Sequence, residues 1–331
     1  MAQPKRHPDE LSTEAARDLI DAVARANPGI FIITGGDPMQ RDDLLPLVRH
    51  ASGRGLRVAL SPSATPRFLE ADLRAFRKAG VRRISFSLDG ATEATHDAFR
   101  GVPGTAARTY AAIAAAQEAG IGIQINTTIT RQNLGELEAF RPLLVSLKPE
   151  TWTLFLLVPT GRGKTSDLIT ASEAEALFLR LAEWEQEAAV PFRIKTTEGQ
   201  HYRRVSLQRW AARGGKRPPR PLPIGDGKGF VFISHTGEVY PSGFLPLSAG
   251  NVKEGELLDL YRDAPLFRSL RAPDLLKGKC GRCDYRSLCG GSRARAHALT
   301  GDPLASDPLC LYEPSELGEP HEPTQPVPTP C

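Results

Sequence analysis

The feature that most constrains this chain is the alternation of short apolar runs with helical pattern across its first 200 residues. Residues 30–34, 56–61, 83–88, 121–128, 151–158 and 192–196 read as strands, because they are short, apolar and rich in β-branched side chains. Helices are expected over about 13–26, 42–53, 65–79, 92–99, 105–119, 133–146 and 170–188. Ser12 can cap the first, Thr65 and Pro66 open the third, and Thr170 with Glu173 forms a capping-box pattern before the last. Such alternation demands a parallel sheet, either a barrel or a doubly wound sheet. Gly, Ser, Asp, Asn and Pro gather just after the strands, where β/α barrels carry their active sites. The pattern opens on a helix, without the strand expected before it.

The C-terminal third carries a second signal. Cys280, Cys283, Cys289 and Cys310 fall within about thirty residues and make up four of the chain's five cysteines. Thiolates are soft ligands, and four of them suit an iron–sulfur cluster or a structural zinc. A cluster is favoured, since zinc sites more often show two C-x2-C pairs. Gly281, Gly290 and Gly291 supply backbone freedom and N–H donors for sulfur. Disulfides are the bland alternative, but the polar start, MAQPKRHPDELST, has no secretory apolar region. A hairpin is expected around His235-Thr236-Gly237, and helices at about 256–262 and just after Cys289. Residues 199–225, rich in Arg, Gly and Pro, read as a linker or exposed loop. Residues 313–331 read as a disordered Pro-rich tail in which Cys331 is a free thiol.

Composition excludes some function classes. With 42 basic and 38 acidic residues, a net charge of +4 gives no argument for nucleic acid. No apolar run approaches the roughly 20 residues that a membrane span needs. The expectation is a soluble protein of a reducing cytoplasm.

Strand-end motifs together with the cysteine cluster resemble the radical S-adenosylmethionine (SAM) superfamily with a C-terminal SPASM/twitch domain, and within it the enzymes of d-type haem and alternative haem synthesis. The resemblance spans about residues 10–312. It implies an α/β fold: a partial (β/α)6 barrel lacking its first strand over 1–200, a linker over 201–225, a SPASM/twitch domain over 226–312 and a tail over 313–331. Gly35-Gly36-Asp37-Pro38 resembles the family's GGE motif, which holds the SAM amino group, although alone it would be an ordinary turn. Ser87-Leu88-Asp89-Gly90, with His96 and Arg100, resembles the segment in which Ser and Arg hold the SAM carboxylate; taken singly, Arg100 would be a solvated helix-end arginine and Asp89 a turn cap. Ser61 is a loose match to a polar strand-end position. Asn126 would bond SAM or a neighbouring loop, and Val158 and Gly161 lie where the sixth strand packs on adenine. The four clustered cysteines match the ligands of one auxiliary [4Fe–4S] cluster. Ser242 and Ser292 stand where a second auxiliary cluster would need cysteine, which implies the twitch form.

The departure from the family is at the front. Its defining CxxxCxxC loop leaves one iron of a [4Fe–4S] cluster open for SAM, which is then cleaved to a 5′-deoxyadenosyl radical. No cysteine precedes Cys280 here. Either the natural start lies upstream, which we favour, or the chain is a remnant with a binding or electron-transfer role. The resemblance further implies a tetrapyrrole or peptide substrate and an electron donor such as ferredoxin or flavodoxin. His201, Tyr202, Arg203 and Arg204 form a candidate substrate clamp for carboxylates, or equally a solvated basic loop. Tyr285 and Arg286, inside the cluster loop, could face the cavity or simply pack over the cluster. The competing classes are a non-catalytic iron–sulfur or zinc protein and a nucleotide-binding module. The last is weakest, because no phosphate-cradling glycine loop is present.

Overall fold

Six strands form one parallel sheet whose spatial order is the chain order: β1 (Phe31–Ile33), β2 (Val58–Leu60), β3 (Val81–Ser87), β4 (Gly122–Ile129), β5 (Thr151–Leu156) and β6 (Arg193–Thr197). A doubly wound sheet must reverse its strand order at a switch point. This order never reverses, so the sheet is a barrel wall, as expected. The structure, a computed structural model, describes residues 7–161, 163–186, 190–212 and 223–314. Residues 315–331, with Cys331 and nearly all of the proposed tail, lie outside them.

Alternation along each strand decides which side chains meet helices. In β4 the burial alternates strictly: Ile123, Ile125, Thr127 and Ile129 are buried, while Gly122, Gln124, Asn126 and Thr128 face the other side. The buried faces of the strands form one core with α1 (Thr13–Arg25), α2 (Leu44–Gly53), α3 (Pro66–Leu69), α4 (Leu73–Ala79), α6 (Thr105–Glu118), α7 (Leu137–Leu147) and α8 (Ala171–Gln186), while α5 (Glu93–Arg100) packs on α6. Trp152 anchors this layer. Its ring stacks between Phe140 at 5.7 Å and Trp184 at 6.0 Å, and its indole N–H donates to Thr127 Oγ1 at 2.8 Å. That hydroxyl in turn donates to the Leu88 carbonyl at 2.8 Å, tying β3 to β4.

Capping chemistry sets the helix limits. Ser12 Oγ accepts from the Ala15 N–H, and Thr170 with Glu173 forms the expected capping box. The helix expected over 65–79 is broken in two, because Asp72 caps a fresh start by accepting from the Ala75 N–H at 3.0 Å. A larger correction concerns 201–225. Residues His201–Ala212 form α9, packed on α8, with His201, Tyr202, Arg204 and Val205 buried. Its buried face is largely polar and pairs with neighbours, so it carries no apolar stripe for sequence pattern to detect. Residues 213–222 lie outside the described part.

The C-terminal lobe holds the hairpin of β7 (Phe232–Ile233) and β8 (Val239–Tyr240), then α10 (Leu257–Asp263), α11 (Pro265–Arg271), α12 (Gly278–Gly281) and α13 (Arg293–Thr300). It is docked rather than tethered. Val158, Leu245, Leu270 and Ala294 share a second apolar cluster, and Phe155 meets Phe244 at 6.0 Å. At the far side the Leu11 N–H donates to the His235 carbonyl at 2.8 Å.

Asp43 ties the chain ahead of α1 to the start of α2. It accepts from Thr13 Oγ1 at 2.6 Å and from Arg41 at 2.7 and 2.8 Å. Arg41 also donates to Glu10 and the Leu11 carbonyl. The Arg41 hydrogen bonds hold the Asp43 carboxyl down at about 2, against an ordinary 3.8. A depressed folded value stabilises the fold fully above pH ~4 and loses that contribution as pH falls through about 2. Because solvent reaches part of the pair, Asp43→Asn is expected to cost ~1 kcal/mol at pH 7. Denaturant titrations should show that gap closing as pH falls below ~4, and a gap independent of pH would refute the linkage.

Candidate metal centre and strand-end rim

Cys280, Cys283, Cys289 and Cys310 all border one recess, together with His201, Arg204, Lys279, Tyr285, Arg286 and Tyr312. Cys280 sits on α12, and the next two cysteines lie in the loop before α13. Backbone N–H groups point at three of the sulfurs. Tyr285 donates to Cys283 at 3.4 Å, Gly291 to Cys289 at 3.4 Å, and Asp307 to Cys280 at 3.5 Å. Gly291 needs its lack of a side chain: φ is +68°, and a Cβ would meet Arg293 and Asp307 at 2.7 Å.

The donor set fits a multinuclear iron–sulfur centre. Burial pushes the Cys289 thiol up to about 12 and the Cys310 thiol up to about 11, and it raises Cys283 too. Such thiols ionise at neutral pH only when metal charge compensates them. Around a single zinc, with Zn–S near 2.3 Å, sulfurs would crowd to roughly 3.8 Å of one another. Among the described residues no group of three His, Cys, Asp or Glu is placed to hold one ion. The four thiols border one shared recess. All four are free cysteines.

A buried ionic network that the sequence reading missed supports the recess. Arg295 and Asp307 are fully buried and form a two-pronged pair at 2.9 and 2.7 Å. Asp307 also accepts from the Ser292 and Leu309 N–H groups at 2.7 and 3.0 Å, and His201 Nε2 lies 3.2 Å away. Burial alone would raise the Asp307 carboxyl, but Arg295 and His201 outweigh it and hold it well below the usual range. Glu198, just past β6, receives the Ser292 hydroxyl, and burial followed by the nearby Asp226 lifts its carboxyl well above the usual range. Asp226 accepts from the Arg293 and Ala294 N–H groups, both at 3.0 Å. Ser292 therefore caps α13 and links it to the barrel, and Ser242 accepts from the Phe244 N–H. The sequence hint was the Arg293-Ala294-Arg295-Ala296 run; nothing local marked Glu198 or Asp307.

The substrate-clamp expectation changes in the folded chain. Arg204 pairs with Glu175 and lies over the Tyr312 ring at 4.9 Å, and Arg203 donates to the Leu288 and Ile224 carbonyls. Tyr202 is buried against Phe178. The four residues do not form an exposed basic loop; His201 and Arg204 line the cysteine recess instead.

The strand-end residues gather along one rim, the C-terminal ends of successive strands. Gly35 and Gly36 are exposed after β1, Ser61 follows β2, Ser87 ends β3, Asn126 lies in β4, and Val158 and Gly161 follow β5. Asp37 is occupied locally: it caps Met39 and contacts the Ser63 N–H and Thr65 hydroxyl, both at 3.4 Å. Asn126 accepts from Gln124 at 2.8 Å. The Val158 side chain packs in the interlobe cluster, which leaves its backbone at the rim.

Asp89 and Arg100 hold one another at this rim. Asp89 is fully buried, with Oδ2 2.5 Å from Arg100 and Oδ1 accepting from the Thr128 N–H at 2.7 Å. Burial pushes its carboxyl up, while Arg100 pulls it down. The Asp89 N–H donates to His96 Nδ1 at 2.9 Å, and burial lowers that imidazole. The Asp89-Gly90…His96…Arg100 segment is thus a lock between β3, β4 and α5. Gly90 completes it, since a Cβ would meet the His96 nitrogen at 2.3 Å.

Comparison with known proteins decides the family. A model of the radical SAM superfamily matches residues 2–143. AdoMet-dependent heme synthase of Oleidesulfovibrio alaskensis is 40% identical over 324 residues, covering 95% of this chain and 82% of the relative. The chain belongs to the radical SAM superfamily. A second AdoMet-dependent heme synthase, from Methanosarcina barkeri, is 39% identical and covers 93% and 89%. Mycofactocin maturase of Mycobacterium tuberculosis is 31% identical, covering 94% and 78%. The fold of this radical SAM chain matches that of Streptococcus suis SuiB bound to S-adenosylmethionine, with a TM-score of 0.69 at 16% identity over 94% and 72% of the two chains. No helix among the described residues is long and apolar enough to cross a membrane.

Anaerobic reconstitution should load the recess with about four iron and four sulfide per chain. Cys289→Ala should lower both sharply while far-UV dichroism keeps the helix content. Stoichiometric zinc without sulfide would contradict the assignment.

Proposed function

We propose that this chain supplies the barrel and auxiliary cluster of a SAM-dependent radical enzyme that modifies a tetrapyrrole of a haem pathway, and that its C-terminal lobe holds one [4Fe–4S] cluster of the SPASM/twitch type. The observation that carries the reading is the gathering of four cysteines around one recess beside α9, which continues from the strand-end rim. Similarity to two heme synthases near 40% favours a tetrapyrrole over a peptide. The 31% identity to mycofactocin maturase keeps a peptide as the lesser alternative.

A bound cluster supplies one-electron chemistry, fed by a donor such as ferredoxin or flavodoxin. The chain's own residues do the rest. Cys280, Cys283, Cys289 and Cys310 would ligate the cluster, and three backbone N–H groups would stabilise its thiolates. The exposed carbonyls at Gly35 and Gly36 would receive the SAM ammonium, and Ser87 and Asn126 would present polar groups to its carboxylate and ribose. Arg100 acts indirectly, holding Asp89 and so the β3–β4 rim.

A second reading has its own observation. No cysteine precedes Cys280, so these 331 residues offer no thiolate set for a SAM-binding cluster. By themselves they would act as an iron–sulfur binding or electron-transfer protein. Assay with dithionite and SAM separates the readings. A version carrying a CxxxCxxC loop ahead of Ser12 is expected to release 5′-deoxyadenosine, faster with a propionate-bearing iron porphyrin. The 331-residue chain should bind SAM without cleaving it. Stimulation by peptide alone would move the substrate class, and no release from the extended protein with both clusters loaded would favour the second reading.

A further inference from the structure

Strand register places four side chains in one row across the concave wall: Ser87 pairs with Asn126, Asn126 with Thr153, and Thr153 with Lys195. Ser87 and Asn126 belong to the SAM rim described above; the other two have no assigned role. Thr153 is only 4% exposed, and its Oγ1 has no hydrogen-bond partner. A hydroxyl buried without a partner is costly unless a ligand completes it. Next to it Lys195 is exposed to the interior, and its electrostatic neighbours are two more cations, Arg83 and Arg193. Glu150 is taken by Arg83 at 2.7 Å, and among the described residues no carboxylate pairs with Lys195. Arg100, the cation expected to meet a carboxylate, is already held by Asp89.

From this geometry we infer that Lys195 and Thr153 form a carboxylate-binding subsite on the barrel's inner wall, which positions an anionic arm of the substrate. A lysine ammonium suits a single carboxylate oxygen, with the threonine hydroxyl donating to the second. Three strand spacings of roughly 4.8 Å separate Lys195 from Ser87, enough for SAM and a substrate arm to occupy opposite ends of the row. Burial, then Arg83 and Arg193, lowers the Lys195 ammonium from its ordinary value, and a bound anion would relieve that strain. The class of arm rests on the tetrapyrrole reading, for which it would be a propionate; the subsite itself does not.

Binding, not turnover, tests it. Cluster-loaded wild type, Lys195→Met, Lys195→Arg and Thr153→Val are titrated with a propionate-bearing porphyrin, its methyl ester, a carboxylate-bearing peptide and SAM. Lys195→Met should weaken porphyrin binding by about 10- to 100-fold, Thr153→Val by less, and Lys195→Arg should recover most of it. Ester and SAM affinities should be unchanged. If only the peptide shows the Lys195 dependence, the tetrapyrrole reading fails and the subsite stands. Equal losses for acid and ester, a loss confined to SAM, or no Lys195-dependent binding of any carboxylate overturns the subsite. Matched iron content and melting temperature guard against misfolding.

Discussion

Four thiols bordering one largely buried recess are unstable as anions unless a cation shares the space. That electrostatic requirement governs the C-terminal lobe. Backbone N–H groups turn toward sulfur, paired αL glycines let the loop wrap closely, and Arg293 reaches within 3.8 Å of Cys280. The Arg295–Asp307 pair, buried beyond water, fixes the segment that donates to Cys280 and leads on to Cys310. A buried ion pair is weak evidence for stability, but breaking one side of it is expensive. Its use here is to hold a loop in one place.

The same network couples the lobes. Glu198 lies at the end of β6 with φ of +54°, a strained setting for a non-glycine residue, and meets Ser292 at the start of α13. Asp226 caps the same helix, and His201 runs from α9 to Asp307. The cysteine recess and the strand-end rim are therefore joined by hydrogen bonds rather than by a flexible tether. Val158 and its apolar neighbours close the seam.

Much of this was legible in sequence, because period-two and period-3.6 patterns are local. The six strands, the Thr170–Glu173 box and the hairpin followed from short-range rules. Non-local pairing was not legible. Arg100 matched a carboxylate-binding position, yet only the fold shows Asp89 buried against it. α9 was hidden because its buried face is His201, Tyr202 and Arg204, which the low-complexity stretch after it made look solvated. Asp72 broke one helix into two because a cap outweighed continuous helical pattern. Nothing local in the sequence singles out Lys195; strand register puts it beside Thr153 and in line with Ser87.

The most direct measurement is a crystal structure of the anaerobically prepared protein with anomalous maps on both sides of the iron edge. The account predicts one compact iron-dependent peak shared by the sulfurs of Cys280, Cys283, Cys289 and Cys310. A peak present only at the zinc edge, a disulfide among these cysteines, or iron bound elsewhere would contradict it.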